Sequence, residues 1–136
     1  MTFSFEIITP EKIVFKEEVN EVIVPTASGQ ITILPHHINL LTQIAEGEII
    51  VKNGAKEQYL AVTGGFLEVS KNKVSLLADY AVRSEEIEIA KAEAAQKRAE
   101  KLMQEKVSER DFAIAETEFK RSLLELKVAS RRRRKL

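Results

Sequence analysis

The chain has 136 residues, 44% hydrophobic and 31% charged, and its 21 basic and 21 acidic side chains balance to a formal net charge of zero. This composition fits a folded chain with one moderate core and excludes a disordered one; the absence of cysteine excludes disulfides, thiolate catalysis and thiolate-based zinc sites. No stretch approaches the roughly 18–20 apolar residues that a bilayer span needs, and Met1–Phe5 lacks the regions of a signal peptide.

All five glycines and all three prolines lie at or before Gly65. Turns between strands use the unusual backbone angles of glycine and the missing donor of proline, whereas a stretch free of both can run on as helix. The expected organisation is therefore β followed by α, with a β domain over 1–83 and a helical domain over 84–136. Charge follows the same division. The first part holds seven basic and ten acidic side chains, the second fourteen and eleven, with five adjacent cations at Arg131–Lys135. Such a run repels itself and calls for an anionic partner.

In chain order, Phe3, Phe5 and Ile7 alternate with Ser4, Glu6 and Ile8, the period of a half-buried strand that Thr9-Pro10 ends. Val19–Val24 is rich in β-branched residues and closes at Pro25; Ser28-Gly29 then opens a further alternation through Ile31 and Ile33. Ile49–Lys52, Asn53-Gly54 and Tyr59–Val62 read as a hairpin with a type I′ turn. Phe66–Val69 and Val74–Leu77 flank a polar turn at Ser70–Lys73 and read as a second hairpin. Eight to ten short strands in this space predict a β-sandwich or a flattened barrel. Gly64-Gly65 marks a bulge or a close backbone approach.

His36-His37 is the one pair with metal-binding chemistry. Adjacent strand residues face opposite ways, and neither cysteine nor a carboxylate pattern completes a ligand set, so a loop or interface role is expected. No nucleophile motif surrounds a serine, and the glycines form no phosphate loop. The chain is expected not to be an enzyme.

Beyond Arg83, Ser84 with Glu85 and Glu86 reads as a helix start. Ile87, Ala90, Ala94, Ala95, Ala99, Leu102 and Met103 recur near the helical period. Ser108 with Asp111 resembles a capping box that opens a second helix, whose stripe is Phe112, Ala115, Phe119, Leu123 and Leu126. Glu93 with Lys97 and Glu116 with Lys120 have the favourable i,i+4 order. The two stripes predict an antiparallel two-helix hairpin, large side chains on one helix meeting alanines on the other. No glycine or proline near Lys106–Glu109 enforces the bend, so one straight helix over 84–130, about 70 Å long, is the competing form.

The order of these parts resembles the ε subunit of bacterial and plastid F-type ATP synthases over nearly the whole chain. The most specific stretches are Val24–Thr42, similar to the family loop that ends in Pro-x-His-x-x-Leu-Leu, and Gly64–Tyr80, with Gly64-Gly65-Phe66-Leu67-Glu68-Val69 and Leu77-Ala78-Asp79. The resemblance implies a non-catalytic central-stalk subunit, with a sandwich seated on the γ subunit and the c-ring and helices that can rise and block ATP hydrolysis. Its implied partner-binding residues are His37, Leu40 and Leu41 in the loop toward the c-ring, Arg121 and Lys127 on the helices, and Arg131, Arg132, Arg133, Arg134 and Lys135 toward an acidic segment of a catalytic β subunit; the implied partners also include the catalytic α subunits.

Two departures stand out. His36 and Asn39 replace a glycine and a proline that many relatives carry in the loop. Where some relatives bind ATP through Ile/Leu-Asp-x-x-Arg-Ala, this chain has Ile87-Glu88-Ile89-Ala90-Lys91-Ala92. Glu88 and Lys91 are therefore the candidates for a regulatory ATP site; no cofactor is required. Lysine lacks the bidentate fork of arginine. The implied location is peripheral, on the cytoplasmic face of the bacterial plasma membrane or the stromal face of the plastid thylakoid.

A competing class is a module whose tail binds nucleic acid or anionic lipid. The tail lacks interleaved aromatics and the rest of the chain lacks a basic face, so no nucleic-acid partner is expected.

Overall fold

The computed structural model describes residues 1–134, the last three as backbone only. The chain divides into two compact units, Met1–Arg83 and the chain from Ser84 onward.

The first unit has ten strands: β1 (Phe3–Ile8), β2 (Ile13–Val19), β3 (Glu21–Thr26), β4 (Gly29–Ile33), β5 (Leu40–Gln43), β6 (Gly47–Asn53), β7 (Lys56–Val62), β8 (Gly65–Ser70), β9 (Lys73–Ala78) and β10 (Ala81–Arg83). They form two five-stranded sheets, ordered β2-β1-β9-β8-β5 and β10-β7-β6-β3-β4. Neighbours pair antiparallel except β1 and β9, which run parallel from Ser4 opposite Lys73 to Ile8 opposite Leu77. The sheets form a sandwich around one core, as the alternations predict. Phe3, Phe5, Ile7, Leu67 and Leu76 enter from the first sheet, and Val22, Ile33, Ile49 and Leu60 from the second.

Phe5 and Phe15 pack as a tilted pair with centroids 5.6 Å apart. Such pairs add about 0.5–1.5 kcal/mol beyond their burial. Arg83 closes this end of the core. Its guanidinium carbon lies 5.0 Å from the Phe15 centroid and its Nε–H donates to the Val14 carbonyl at 3.1 Å.

Local chemistry revises three readings. Val19–Val24 is two strands, because the chain crosses between sheets at Asn20, whose amide donates to the Met1 carbonyl at 2.8 Å and accepts the Gly54 N–H at 2.6 Å. Pro25 continues β3 opposite Gln30. Pairing with β6 has ended at Ile23, so no ladder bond needs its missing N–H. Asn53 ends β6 opposite Lys56, leaving Gly54-Ala55 as the turn with positive φ at Gly54 alone, the II′ pattern. The I′ pattern belongs to Lys71-Asn72, with φ of 52° and 60°.

Gly64 and Gly65 have φ of 73° and 128°, and a Cβ on Gly65 would lie 2.1 Å from the Leu77 carbonyl oxygen. This is the close backbone approach expected of that pair.

The second unit begins with a 3₁₀ turn at Ser84–Glu86, followed by α1 (Ile89–Gln104) and α2 (Glu109–Arg134) in a helical hairpin. Ser84 does not cap α1. Its hydroxyl is buried and donates to Glu85 Oε2, and the helix starts five residues later behind Glu88, which makes no side-chain cap bond. Ser108 does cap α2, accepting the Asp111 N–H at 3.1 Å.

Both apolar stripes are rotated from the expected ones. Ala92 and Ala99 are buried with Ala95 and Met103 partly covered, while Ala90, Ala94 and Leu102 face solvent. On α2 Ala115, Ser122, Val128 and Ala129 are buried with Phe119 and Leu126 partly covered, while Phe112 and Leu123 are exposed. The covered faces therefore meet largely through small residues.

Candidate functional site

Three surfaces carry the chemistry, two on the sandwich and one on the hairpin. The first is the loop between β4 and β5. Pro35 and His36 occupy the centre of a reverse turn closed by the His37 N–H donating to the Leu34 carbonyl at 3.2 Å. His36 has φ of 63°, the positive value that the second central position of a type II turn demands. Its N–H donates to Asn72 Oδ1 at 2.8 Å. His37 is half-buried, with Nδ1 2.7 Å from the Ile38 carbonyl. A carbonyl cannot donate, so Nδ1 carries the proton in that contact. The rim is apolar: Ile38 is 79% exposed and Leu41 72%.

Leu40 and Leu41 separate by strand alternation. Leu40 lies opposite Val69 and packs on the sandwich core, whereas Leu41 lies opposite Glu68 and faces outward. Of the two, only Leu41 is presented for contact. Among the described residues, no group of histidines and acids could hold a metal ion.

The second surface is the outer face of the first sheet. Register places Ile13 beside Ile8, Ile8 beside Leu77 and Leu77 beside Phe66, a row crossing four strands. It spans about 14 Å at ~4.8 Å between strands. Ile13, Leu77 and Phe66 are each more than half exposed. Farther along the same strands the face turns polar: Ser75 Oγ donates to Glu6 Oε1 at 2.9 Å, and Lys73 pairs with Glu6 at 3.7 Å. Sequence reasoning missed this row, although its signal is present. Phe66 and Leu77 hold outward positions in strands whose inward positions are already filled by Leu67, Val69, Val74 and Leu76.

The third surface is a groove of about 380 Å³ along the helices, lined by Lys91, Arg98 and Arg121 with Glu118 and Glu125 among its walls. Arg98 Nη2 donates to Glu118 Oε1 at 3.1 Å, joining the helices. Lys91 pairs with Glu88 Oε2 at 3.2 Å, but Glu88 is not part of the groove wall. Arg98 belongs to this constellation and the motif reading overlooked it, because it lies one helical turn or more beyond the motif.

Arg121, Lys127 and Arg131 do not form one face. Lys127 and Arg131 are one turn apart on α2, exposed and half-buried respectively, while Arg121 turns into the groove. Arg132, Arg133 and Arg134 continue the helix as backbone, and Lys135 lies outside the described residues. The Glu116–Lys120 pair forms at 3.7 Å; Glu93 and Lys97, both described, do not close to ion-pair distance. No described helix is long and apolar enough to cross a membrane.

A sandwich of ten strands in two sheets followed by a helical hairpin defines a two-module chain. The chain belongs to the ATP synthase delta/epsilon chain family: residues 2–84 match its beta-sandwich domain and residues 85–130 its long alpha-helix domain. It is 47% identical over 131 residues to the ATP synthase epsilon chain of Dehalococcoides mccartyi, covering 95% of this chain and 93% of that one. It is 43% identical over 134 residues to the epsilon chain of Herpetosiphon aurantiacus, covering 98% of both.

Among solved structures, a chain of the Euglena gracilis mitochondrial ATP synthase complex of OSCP, F1 and c-ring is similar in fold. The TM-score is 0.66 at 21% identity, over 95% of this chain and 78% of that one. A chain of the Tetrahymena thermophila mitochondrial ATP synthase central stalk and c-ring has a TM-score of 0.60 at 14% identity, over 93% and 95%.

Proposed function

We propose that this chain is a non-catalytic subunit of the ATP synthase central stalk, seated on the γ subunit and c-ring, and that its helical unit restrains ATP hydrolysis. The observation that carries the seat is the row Ile13–Ile8–Leu77–Phe66. A sheet face with this much exposed apolar side chain calls for a protein partner, and the neighbouring Glu6 and Lys73 form a polar border like the rim of an interface. The His36-His37 loop, rimmed by Ile38 and Leu41, supplies the contact toward the c-ring. In this proposal the chain lies peripherally, at the cytoplasmic face of a bacterial plasma membrane; the support is that its relatives are ATP synthase epsilon chains.

The test is capture of the purified chain by its own γ–c-ring complex. The double variant Phe66→Glu/Leu77→Glu loses capture while its unfolding midpoint stays close to that of the parent chain. Retained capture would remove the row from the interface.

The groove between the helices supports regulatory ATP as a second element of the proposal, because Lys91, Arg98 and Arg121 converge there. ATP bound at these cations would hold α1 against α2. Millimolar ATP then slows amide exchange in α1, and an unchanged exchange pattern would remove the nucleotide from the mechanism.

A further inference from the structure

We infer that Asn72 is the positioning residue of the His36-His37 loop, holding His36 in the left-handed conformation that presents the loop to its partner. The inference rests on the rotor reading above. Three non-glycine residues of the sandwich have φ near +60°, and all three gather at this end of the first sheet: His36 at 63°, Lys71 at 52° and Asn72 at 60°. Such angles bring Cβ close to the following carbonyl and persist where surrounding bonds compensate.

Besides the turn bond from the His37 N–H to the Leu34 carbonyl, the bonds that compensate come from one residue. Asn72 Oδ1 accepts the His36 N–H at 2.8 Å, and Asn72 Nδ2 donates to the Thr2 carbonyl at 2.9 Å. Its own carbonyl accepts the Ser4 N–H at 3.3 Å. The amide is thus tied to the chain start and to a loop 36 residues away. These partners fix its orientation, since an N–H can meet only the oxygen and a carbonyl only the nitrogen. They also account for asparagine here: aspartate would turn a carboxylate oxygen toward the Thr2 carbonyl. Asparagine is among the side chains that best tolerate the left-handed region.

The turn itself does not require the asparagine side chain. Glycine at position 72 would keep the positive φ without strain, so Asn72→Gly removes the two side-chain bonds and spares the hairpin. His36→Gly removes the need for them, because glycine holds φ near 63° unaided.

The experiment measures the affinity of the full chain for its own γ–c-ring complex depleted of this subunit, and the φ of His36 by NMR. Asn72→Gly binds about five- to tenfold more weakly, the scale of one lost hydrogen bond, and His36 leaves the left-handed region. Asn72→Asp, which keeps the acceptor, binds between the two. In the His36→Gly background the same change has little effect: the double variant His36→Gly/Asn72→Gly binds within about twofold of His36→Gly alone.

A merely structural role for Asn72 would cost the double variant the same roughly five- to tenfold relative to His36→Gly, and that result overturns the inference. So does a His36 that stays near 63° in Asn72→Gly. If the parent chain fails to bind the complex, the rotor reading fails instead, and the φ of His36 in Asn72→Gly still decides whether Asn72 positions the loop.

Discussion

Arg98 on α1 and Glu118 on α2 join the two helices of the hairpin through a 3.1 Å charged hydrogen bond. Elsewhere the seam is narrow, its covered positions held largely by Ala92, Ala95, Ala99, Ala115 and Ser122. The Arg98 side chain is 64% exposed and that of Glu118 37%, so solvent screens the pair. In a double-mutant cycle of Arg98→Ala and Glu118→Ala we expect a coupling of about 0.2–1 kcal/mol that fades as salt is raised. Amide exchange of α1 reads it directly. A coupling indistinguishable from zero at low salt would show that apolar packing alone holds the hairpin.

Of the five glycines, Gly65 is the least tolerant of a side chain. Besides the Leu77 carbonyl at 2.1 Å, a Cβ would meet the Ala78 Cα at 2.8 Å, and the φ of 128° is itself disfavoured for an L-residue. Both obstacles are backbone of the paired strand β9 and cannot rotate aside. Gly65→Ala is expected to cost about 3 kcal/mol or more in urea unfolding. A loss below about 1 kcal/mol would mean that β8 and β9 separate more easily than their register implies.

His36→Gly has the opposite sign for stability. Relief of the left-handed strain outweighs the larger unfolded-state entropy of glycine, giving a net gain of about 0.5–1 kcal/mol in thermal or urea unfolding. A loss of stability would show that the histidine ring makes contacts worth more than the strain.

If the helical unit restrains ATP hydrolysis as proposed, the basic tail that the resemblance directs at an acidic segment contributes by charge. Truncation after Ser130 is expected to raise ATP hydrolysis by the assembled complex about two- to tenfold, the scale of one or two lost charged contacts, while ATP synthesis persists. Raising salt should narrow the gap between truncated and full-length forms. Equal hydrolysis at low salt would separate the tail from inhibition.

Much of the sandwich was legible because burial and strand period coincide. Phe3, Phe5 and Ile7 point inward as their alternation requires, and the second hairpin turns at Lys71-Asn72 within the polar segment expected of it. The break at Asn20 was hidden, since Val19 and Val22 are equally β-branched on either side and the crossing depends on contacts with Met1 and Gly54. The faces of α1 were ambiguous for another reason. Alanine at 90, 92, 94, 95 and 99 is compatible with several rotations, and only the partner helix selects Ala92 and Ala99.

The candidate surfaces were half legible. Family resemblance drew attention to His37 and the two leucines, but strand parity turns Leu40 inward. The Ile13–Phe66 row is partly local, in the outward Phe66 and Leu77 of one hairpin, but joining it to Ile8 and Ile13 takes the pairing of β1 with β9, which no local pattern encodes. The same holds for Asn72, whose turn chemistry was visible while its bond to His36 was not.

The parallel pairing of β1 with β9 has a consequence for synthesis of the chain. β1 lies inside the first sheet, yet one of its two neighbours is made almost 70 residues later, since Ser4 waits for Lys73. Until β9 leaves the ribosome, β1 carries an open strand edge bearing Phe3, Phe5 and Ile7, the kind of edge that recruits other chains. The first sheet therefore closes late and as a unit, when nearly all of Met1–Arg83 has emerged. Any pause in translation before β9 lengthens the exposure, so the helices that follow are made only after the most aggregation-prone interval has passed.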